Sequence, residues 1–261
     1  MKKLIKSLFS KLGLRLISDR RYSQLLRKPP TTKTVEVGSL SFDFWFANAY
    51  SYAWYDRPWD DYFEFTALND LLSDGDRVLE IGAHQGFTSL LISEVIGSGK
   101  CVSLEAHPEN AMIAMAQAQL NHKTNLQVLW CAGSNQKGSL TISDSTNSKI
   151  ISGGEGIEVP TITADEIDEK YGPFNVIKLD VEGAERIVLE GSKKILSRKP
   201  KIALELHMPE FKDPEAEVLK IKELLDASEY EGRAYDRDGN EVEFNFSAFK
   251  PDMVYNLYLR P

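Results

Sequence analysis

Two acidic side chains on either side of a glycine turn are the first residues in this 261-residue chain whose spacing suits chemistry. The stretch 77–86 reads RVLEIGAHQG and carries Glu80, Gly82, Ala83, His84 and Gly86. Val78, Leu79 and Ile81 form an apolar run of the kind found in a buried strand. Gly82 and Gly86 break the run, and FTSLLISEVI continues as a helix. A second apolar segment, CVSLEA, ends in Glu105, about twenty residues beyond the turn, where a doubly wound sheet holds the ribose of a nucleoside. An ionised carboxylate there accepts hydrogen bonds from both ribose hydroxyls.

The dinucleotide fingerprint G-x-G-x-x-G is absent, and Glu80 at the end of the strand would repel a pyrophosphate. The same carboxylate suits a cationic ligand bearing an ammonium group. E/D-x-G-x-x-x-G followed by an acidic second strand resembles motif I of the class I methyltransferases that depend on S-adenosylmethionine (SAM). That resemblance implies SAM as cofactor. It places the adenine just after the third strand, read as Leu126–Ala132. Many relatives have an acid near there, whereas this chain has Gly133 and Ser134.

Ligands in an open α/β sheet bind beyond the carboxyl ends of its strands. Glu80, Glu105, Ala132, Asp180 and His207 each fall at such an end, Asp180 closing a strand FNVIKLD and His207 following KIALEL. The segments VPTITADEI, VIKLDVEGAERIVLEGSKKIL and PKIALELH resemble the FkbM family of SAM-dependent methyltransferases, K-x-D-V-E-G-A-E being the most specific mark. The similarity runs from about Asp76 to His207. It implies methylation of a hydroxyl oxygen on a sugar, a glycan or a small hydroxylated metabolite. It also implies cofactor contacts at Glu80, Gly82, Ala83, His84, Gly86, Glu105, Ala132 and Asp180. The family commonly has Asn where this chain has His84, and an apolar residue where it has Gln85.

Methyl transfer to oxygen needs a nucleophile at near-attack distance and a base that takes its proton. His207, with an ordinary pKa near neutrality, is one candidate; Asp180 and Glu182 are the others. Asp180 and Glu182 are also hard oxygen donors of the kind Mg²⁺ takes, while acids at a helix start are favoured by its dipole alone.

The elements that must position these residues follow from the rest of the chain. Residues 1–30 form a basic amphipathic segment with Leu4, Ile5, Leu8, Phe9 and Leu12 at helical spacing. Residues 31–57 form an appendage: a hairpin about Gly38 and Ser39, then a stretch dense in aromatics that packs it onto the core. Residues 58–261 form the catalytic domain, a Rossmann-like, seven-stranded, mostly parallel sheet with helices on both faces and a late antiparallel pair. Its first helix is expected from Pro58 to Leu72. The excursion 137–160 reads as two short strands around polar loops.

Nine of the 31 Lys and Arg and one of the 39 acids lie in residues 1–28, so that segment carries +8 and the remainder −16. An acidic body argues against a nucleic-acid partner, and the basic segment suits peripheral contact with an anionic membrane. Cys101 and Cys131 fall at opposite ends of neighbouring strands and are expected as free thiols in a reducing, cytoplasmic setting. Two other classes fit a sheet of this kind: an NAD-dependent oxidoreductase, and a non-catalytic membrane-attached binding module.

Overall fold

The computed structural model describes residues 25–59, 62–145, 147–152 and 155–261, so most of the basic N-terminal segment lies outside the described residues. The chain enters through β1 (Thr31–Val37) and β2 (Leu40–Phe46), a hairpin in which Val37 pairs with Leu40 across Gly38 and Ser39. Helices α1 (Ala49–Tyr55) and α2 (Phe63–Leu71) follow. The second starts five residues later than its proline signal indicates. A βα alternation then runs through β3 (Arg77–Ile81), α3 (Phe87–Val95), β4 (Lys100–Glu105), α4 (Pro108–Leu120) and β5 (Leu126–Trp130).

The third parallel strand is shorter than the apolar run. It stops at Trp130, and β6 (Ala132–Gly133) crosses into a separate three-stranded sheet with β7 (Gly138–Ile142) and β8 (Ile157–Ile162). The chain returns through α5 (Ala164–Tyr171), capped by the Thr163 and Glu166 side chains, to β9 (Val176–Leu179). The expected single helix after Asp180 is two short ones, α6 (Glu185–Glu190) and α7 (Lys193–Leu196). They part at Gly191, where a Cβ would sit 2.1 Å from the Ser134 carbonyl oxygen. The chain ends with β10 (Lys201–His207), α8 (Pro214–Leu225), β11 (Glu231–Asp236), β12 (Glu241–Val242) and β13 (Val254–Arg260).

The main sheet has the order β12-β11-β13-β10-β9-β3-β4-β5. The five strands from β10 to β5 pair in parallel; β13, β11 and β12 pair antiparallel. The expected seven strands become eight because the turn after Asp236 brings Glu241 and Val242 back against Tyr235 and Ala234.

Each face of the sheet is sealed by its own core. One is built from Val78, Cys101, Val176, the hairpin phenylalanines Phe42, Phe44 and Phe46, and the leucines of α2 and α3. The other joins Leu79, Ile81, Leu104, Ile177, Leu179 and Leu204 to α5, α6 and α8. Fully burying one such side chain stabilises by about 1.5–3 kcal/mol. The aromatics before the domain converge on Phe87, the first residue of α3: ring centroids of Phe44, Tyr55 and Trp59 lie 5.5, 5.0 and 4.2 Å away. Cys101 and Cys131 are free thiols. Among the described residues no helix is long and apolar enough to cross a membrane.

Candidate active site

Strand register lays a polar stripe across one face of an otherwise apolar sheet. Glu80 on β3 stands opposite Ser103 on β4 and Lys178 on β9; Lys178 stands opposite Ala203 on β10; Glu205 stands opposite Asn256 on β13. Because side chains alternate along a strand, Lys178 shares its face with Asp180, and Glu205 shares its face with His207. The stripe therefore ends at the carboxyl edge with Asp180, Glu205 and His207 side by side.

The turn after β3 forms the first half of the site. Gly82 has φ +95°, and a Cβ there would lie 1.7 Å from the Asp180 carbonyl oxygen, so only glycine lets the turn close on the next strand end. Gly82 N and Ala83 N both donate to the Leu104 carbonyl, at 2.9 and 3.0 Å. Gly86, at φ +82°, leads into α3. Glu105 accepts from the His84 backbone N–H at 2.7 Å and the His107 backbone N–H at 2.8 Å. Ala132, just past the end of β5, belongs to a small apolar cluster against which Ala106 packs. Gly82, Ala83, His84, Gly86, Glu105, Ala132 and Asp180 are thus brought to one edge of the sheet.

Glu80 is not in that group. It is fully buried, one residue short of the strand end, and lies on the sheet face beneath α3. Its Oε2 accepts from Ser89 Oγ and Ser103 Oγ at 2.5 and 2.6 Å, and its Oε1 lies 3.6 Å from Lys178 Nζ. Its contacts here are with Ser89, Ser103 and Lys178 beneath α3 and not at the open edge, where the sequence reading placed it against an ammonium group. Gln85 is also fully buried and turns away, taking a hydrogen bond from Ser51 Oγ and donating to Asn110 Oδ1.

The second half centres on His207. Its Nδ1 donates to Glu185 Oε1 at 2.7 Å, and its Nε2 faces Glu182 Oε2 at 3.6 Å and Asp180 Oδ1 and Glu205 Oε1 at 3.9 Å. The three candidate bases are therefore adjacent. Glu182 has φ +51° and precedes α6, so no helix dipole accounts for it. The β7–β8 excursion reaches the site: Asn147 Nδ2 donates to Glu182 Oε1 at 2.5 Å, and Lys149 pairs with Glu210 at 2.6 Å.

A family model described as the methyltransferase FkbM domain matches residues 80–234, more than half of the chain. The chain belongs to the FkbM methyltransferase family. No curated protein sequence matches it. Among solved structures, the O-methyltransferase from Bacillus cereus in complex with SAH is 14% identical, with a TM-score of 0.51 over 99% of this chain and 97% of that one. Fibrillarin from Methanococcus jannaschii is 12% identical, with a TM-score of 0.49 over 94% and 86%. The precorrin-6y C5,15-methyltransferase from Geobacter metallireducens is 12% identical, with a TM-score of 0.47 over 75% and 87%. At these identities the likeness is one of fold, and only the first reaches a level that supports it.

Burial sets the charge states in this FkbM methyltransferase. It pushes Glu105 up to about 7, against the pull of its two backbone hydrogen bonds. It pushes His84 down to about 4, so that ring is neutral near pH 7. Burial and the Asp180 charge push Glu205 up to about 8, and burial also raises Glu182. His207 moves the other way: burial opposes its charge, but Glu185, Glu205 and Glu182 hold the ring well above its ordinary value.

Sequence reasoning gave no role to Lys178 and Glu185, although they open and close the K-x-D-V-E-G-A-E mark, and did not single out Glu205 or Tyr55. Lys178 and Glu205 lie two residues before Asp180 and His207, so strand alternation alone could have found them. Tyr55, whose hydroxyl is 2.5 Å from His84 Nδ1, carried no signal of its own.

Proposed function

We propose that this methyltransferase moves the methyl group of SAM to a hydroxyl oxygen of a sugar, a glycan or a small hydroxylated metabolite. The observation that carries the reading is the meeting, at one sheet edge, of a ribose-type carboxylate, Glu105, and the cluster of Asp180, Glu182 and Glu205 about His207. The residues fit a sulfonium nucleoside on two counts. His84 Nε2 and His107 Nδ1 are buried without hydrogen-bond partners among the described residues, and the backbone amides of the same two residues hold the Glu105 carboxylate. Around the edge, acids outnumber Lys178 and His207, which favours a cationic ligand.

SAM supplies, when bound, an electrophilic methyl group. Glu105, ionised, accepts from the ribose hydroxyls while the His84 and His107 amides fix its orientation. Asp180 and Glu182 are the proton acceptors for the hydroxyl: their side chains keep 31% and 23% of their exposure, whereas that of His207 keeps 8%. His207, 3.6–3.9 Å from both, acts on those carboxylates through its charge. Oxygen as the acceptor atom is what the resemblance to the FkbM family implies, and the carboxylates at the edge suit the removal of a hydroxyl proton. Calorimetry with S-adenosylhomocysteine tests the cofactor half: wild type binds and Glu105→Ala loses at least tenfold in affinity. Incubation with methyl-labelled SAM and a panel of glycosides tests the acceptor half, through label that appears as an O-methyl ether. A wild-type chain that does not bind the nucleoside would overturn the proposal.

A further inference from the structure

The donor atoms at the ends of β9 and β10 are of mixed kind. His207 is 6% exposed, and Glu185, which takes its Nδ1–H, is fully buried. A carboxylate on one ring nitrogen fixes the ring's orientation and leaves Nε2 facing the other carboxylates, where a cation would take the place of its proton, an arrangement common behind metal-binding histidines. Nε2 has no hydrogen-bond partner among the described residues. The carboxylate oxygens it faces stand 3.6–3.9 Å away, beyond hydrogen-bond length. Donors sharing one cation through bonds of about 2.1 Å lie about 3–4 Å apart. Donor atoms of Asp180, Glu205 and His207 all fall within 4.8 Å of one another.

We propose that Asp180, Glu205 and His207 bind one first-row divalent cation of the Mn²⁺ or Fe²⁺ kind, with Glu185 orienting the histidine. The imidazole decides the class of metal. Mg²⁺ prefers oxygen donors and keeps its waters, whereas an imidazole with two carboxylates suits the first-row ions. The donor set thus differs from the Asp180 and Glu182 pair expected for Mg²⁺. Three protein ligands leave positions for oxygen atoms of the acceptor; that consequence rests on the hydroxyl-transfer reading above.

Titration of the full chain with MnCl₂, followed by the EPR signal of the free ion, tests the site. We expect one ion bound per chain, nitrogen coupling from the imidazole in the pulsed EPR spectrum, and retention of Mn²⁺ against a tenfold excess of Mg²⁺. His207→Gln abolishes the nitrogen coupling and weakens binding at least tenfold. Glu185→Gln keeps the coupling and weakens binding about 10–100-fold. Glu205→Gln, tenfold weaker with the coupling retained, decides the matter if His207→Gln does not fold by circular dichroism. A wild-type chain that binds no Mn²⁺ at millimolar concentration, or binds it without nitrogen coupling, overturns the proposal; His207 then carries only a proton among the carboxylates. Binding of S-adenosylhomocysteine is measured separately, so loss of the metal site and loss of the methyltransferase reading are distinguishable.

Discussion

His84 and Glu105 share a backbone hydrogen bond yet respond to pH in opposite directions. Burial depresses His84 from 6.5 to about 4, so its neutral form is favoured by folding. The stability this contributes is present above pH 6.5 and is lost as pH falls towards 4, because the unfolded chain takes up the proton first. Replacement by Asn removes the titration and suits the backbone, since His84 has φ +49° and Asn tolerates that region. Urea midpoints measured from pH 7 to 4 should fall less steeply in His84→Asn than in wild type, by on the order of 2 kcal/mol across the window. Parallel curves would show that the ring does not titrate as its surroundings indicate. Glu105 is raised from 4.5 to about 7, so its contribution is present below pH 4.5 and is lost as pH rises through 7. Its ionised form is the one that accepts from a ribose. Affinity for S-adenosylhomocysteine should therefore rise about tenfold from pH 6 to pH 8, and Glu105→Gln should flatten the dependence. An unchanged slope in Glu105→Gln would assign the dependence to another group.

At the scale of elements, the hairpin is tied to the nucleoside half of the site by two amide side chains. Gln117 and Asn121 stand one turn apart on and just after α4. Gln117 accepts from Trp45 N and donates to Trp45 O, both at 2.9 Å; Asn121 does the same to Asp43 at 2.9 and 2.7 Å. The i,i+4 spacing of a helix here meets the i,i+2 spacing of a strand, so the open edge of β2 is paired as another strand would pair it. Gln117→Ala leaves both Trp45 groups without partners where water is scarce. It should cost about 1–3 kcal/mol by chemical denaturation and speed exchange of the Trp45 amide. Unchanged exchange at Trp45 would mean that something else holds the edge. None of this was legible in sequence, because an amide on a helix carries no mark of the strand it will cap. The βα alternation, the glycine turn and Glu105 were legible, because each follows from periodicity or from backbone geometry within a few residues. The break at Gly191 and the crossing at Ala132 were not. Both depend on close approach between segments distant in the chain, Gly191 to Ser134 and Gly133 to Ile81.

For the whole molecule, the polar stripe crosses one face of the sheet, beside Val78 and Val176 of the first core, and runs to the carboxyl edge where the site lies. Lys178, 5% exposed, lies 3.6 Å from Glu80 and 3.8 Å from Asp180, and its charge is further held by Glu64 and Glu205. Beside it a cavity of about 10 Å³, lined by Glu64, Ala203, Glu205, Asn256 and Tyr258 among others, has room for about one water. Glu64 comes from α2, so the helix that precedes the parallel sheet closes the stripe from above. Glu80 was read from sequence as a ligand contact; its place in the stripe makes it the counter-charge that keeps Lys178, and through it Asp180, in position. Losing one partner of a buried ion pair costs about 3–5 kcal/mol, because the survivor is left charged and unpaired. Lys178→Met, which strands Glu80, should therefore lower the melting temperature by about 10 °C. Glu80→Gln should cost less, since its amide keeps a hydrogen bond with the serine hydroxyls and Lys178 keeps Asp180. The double variant should be more stable than the sum of the two losses, with a coupling of at least about 1 kcal/mol. Strictly additive losses would show that Glu80 and Lys178 are neighbours without being energetic partners, and the positioning role given to Glu80 would fall.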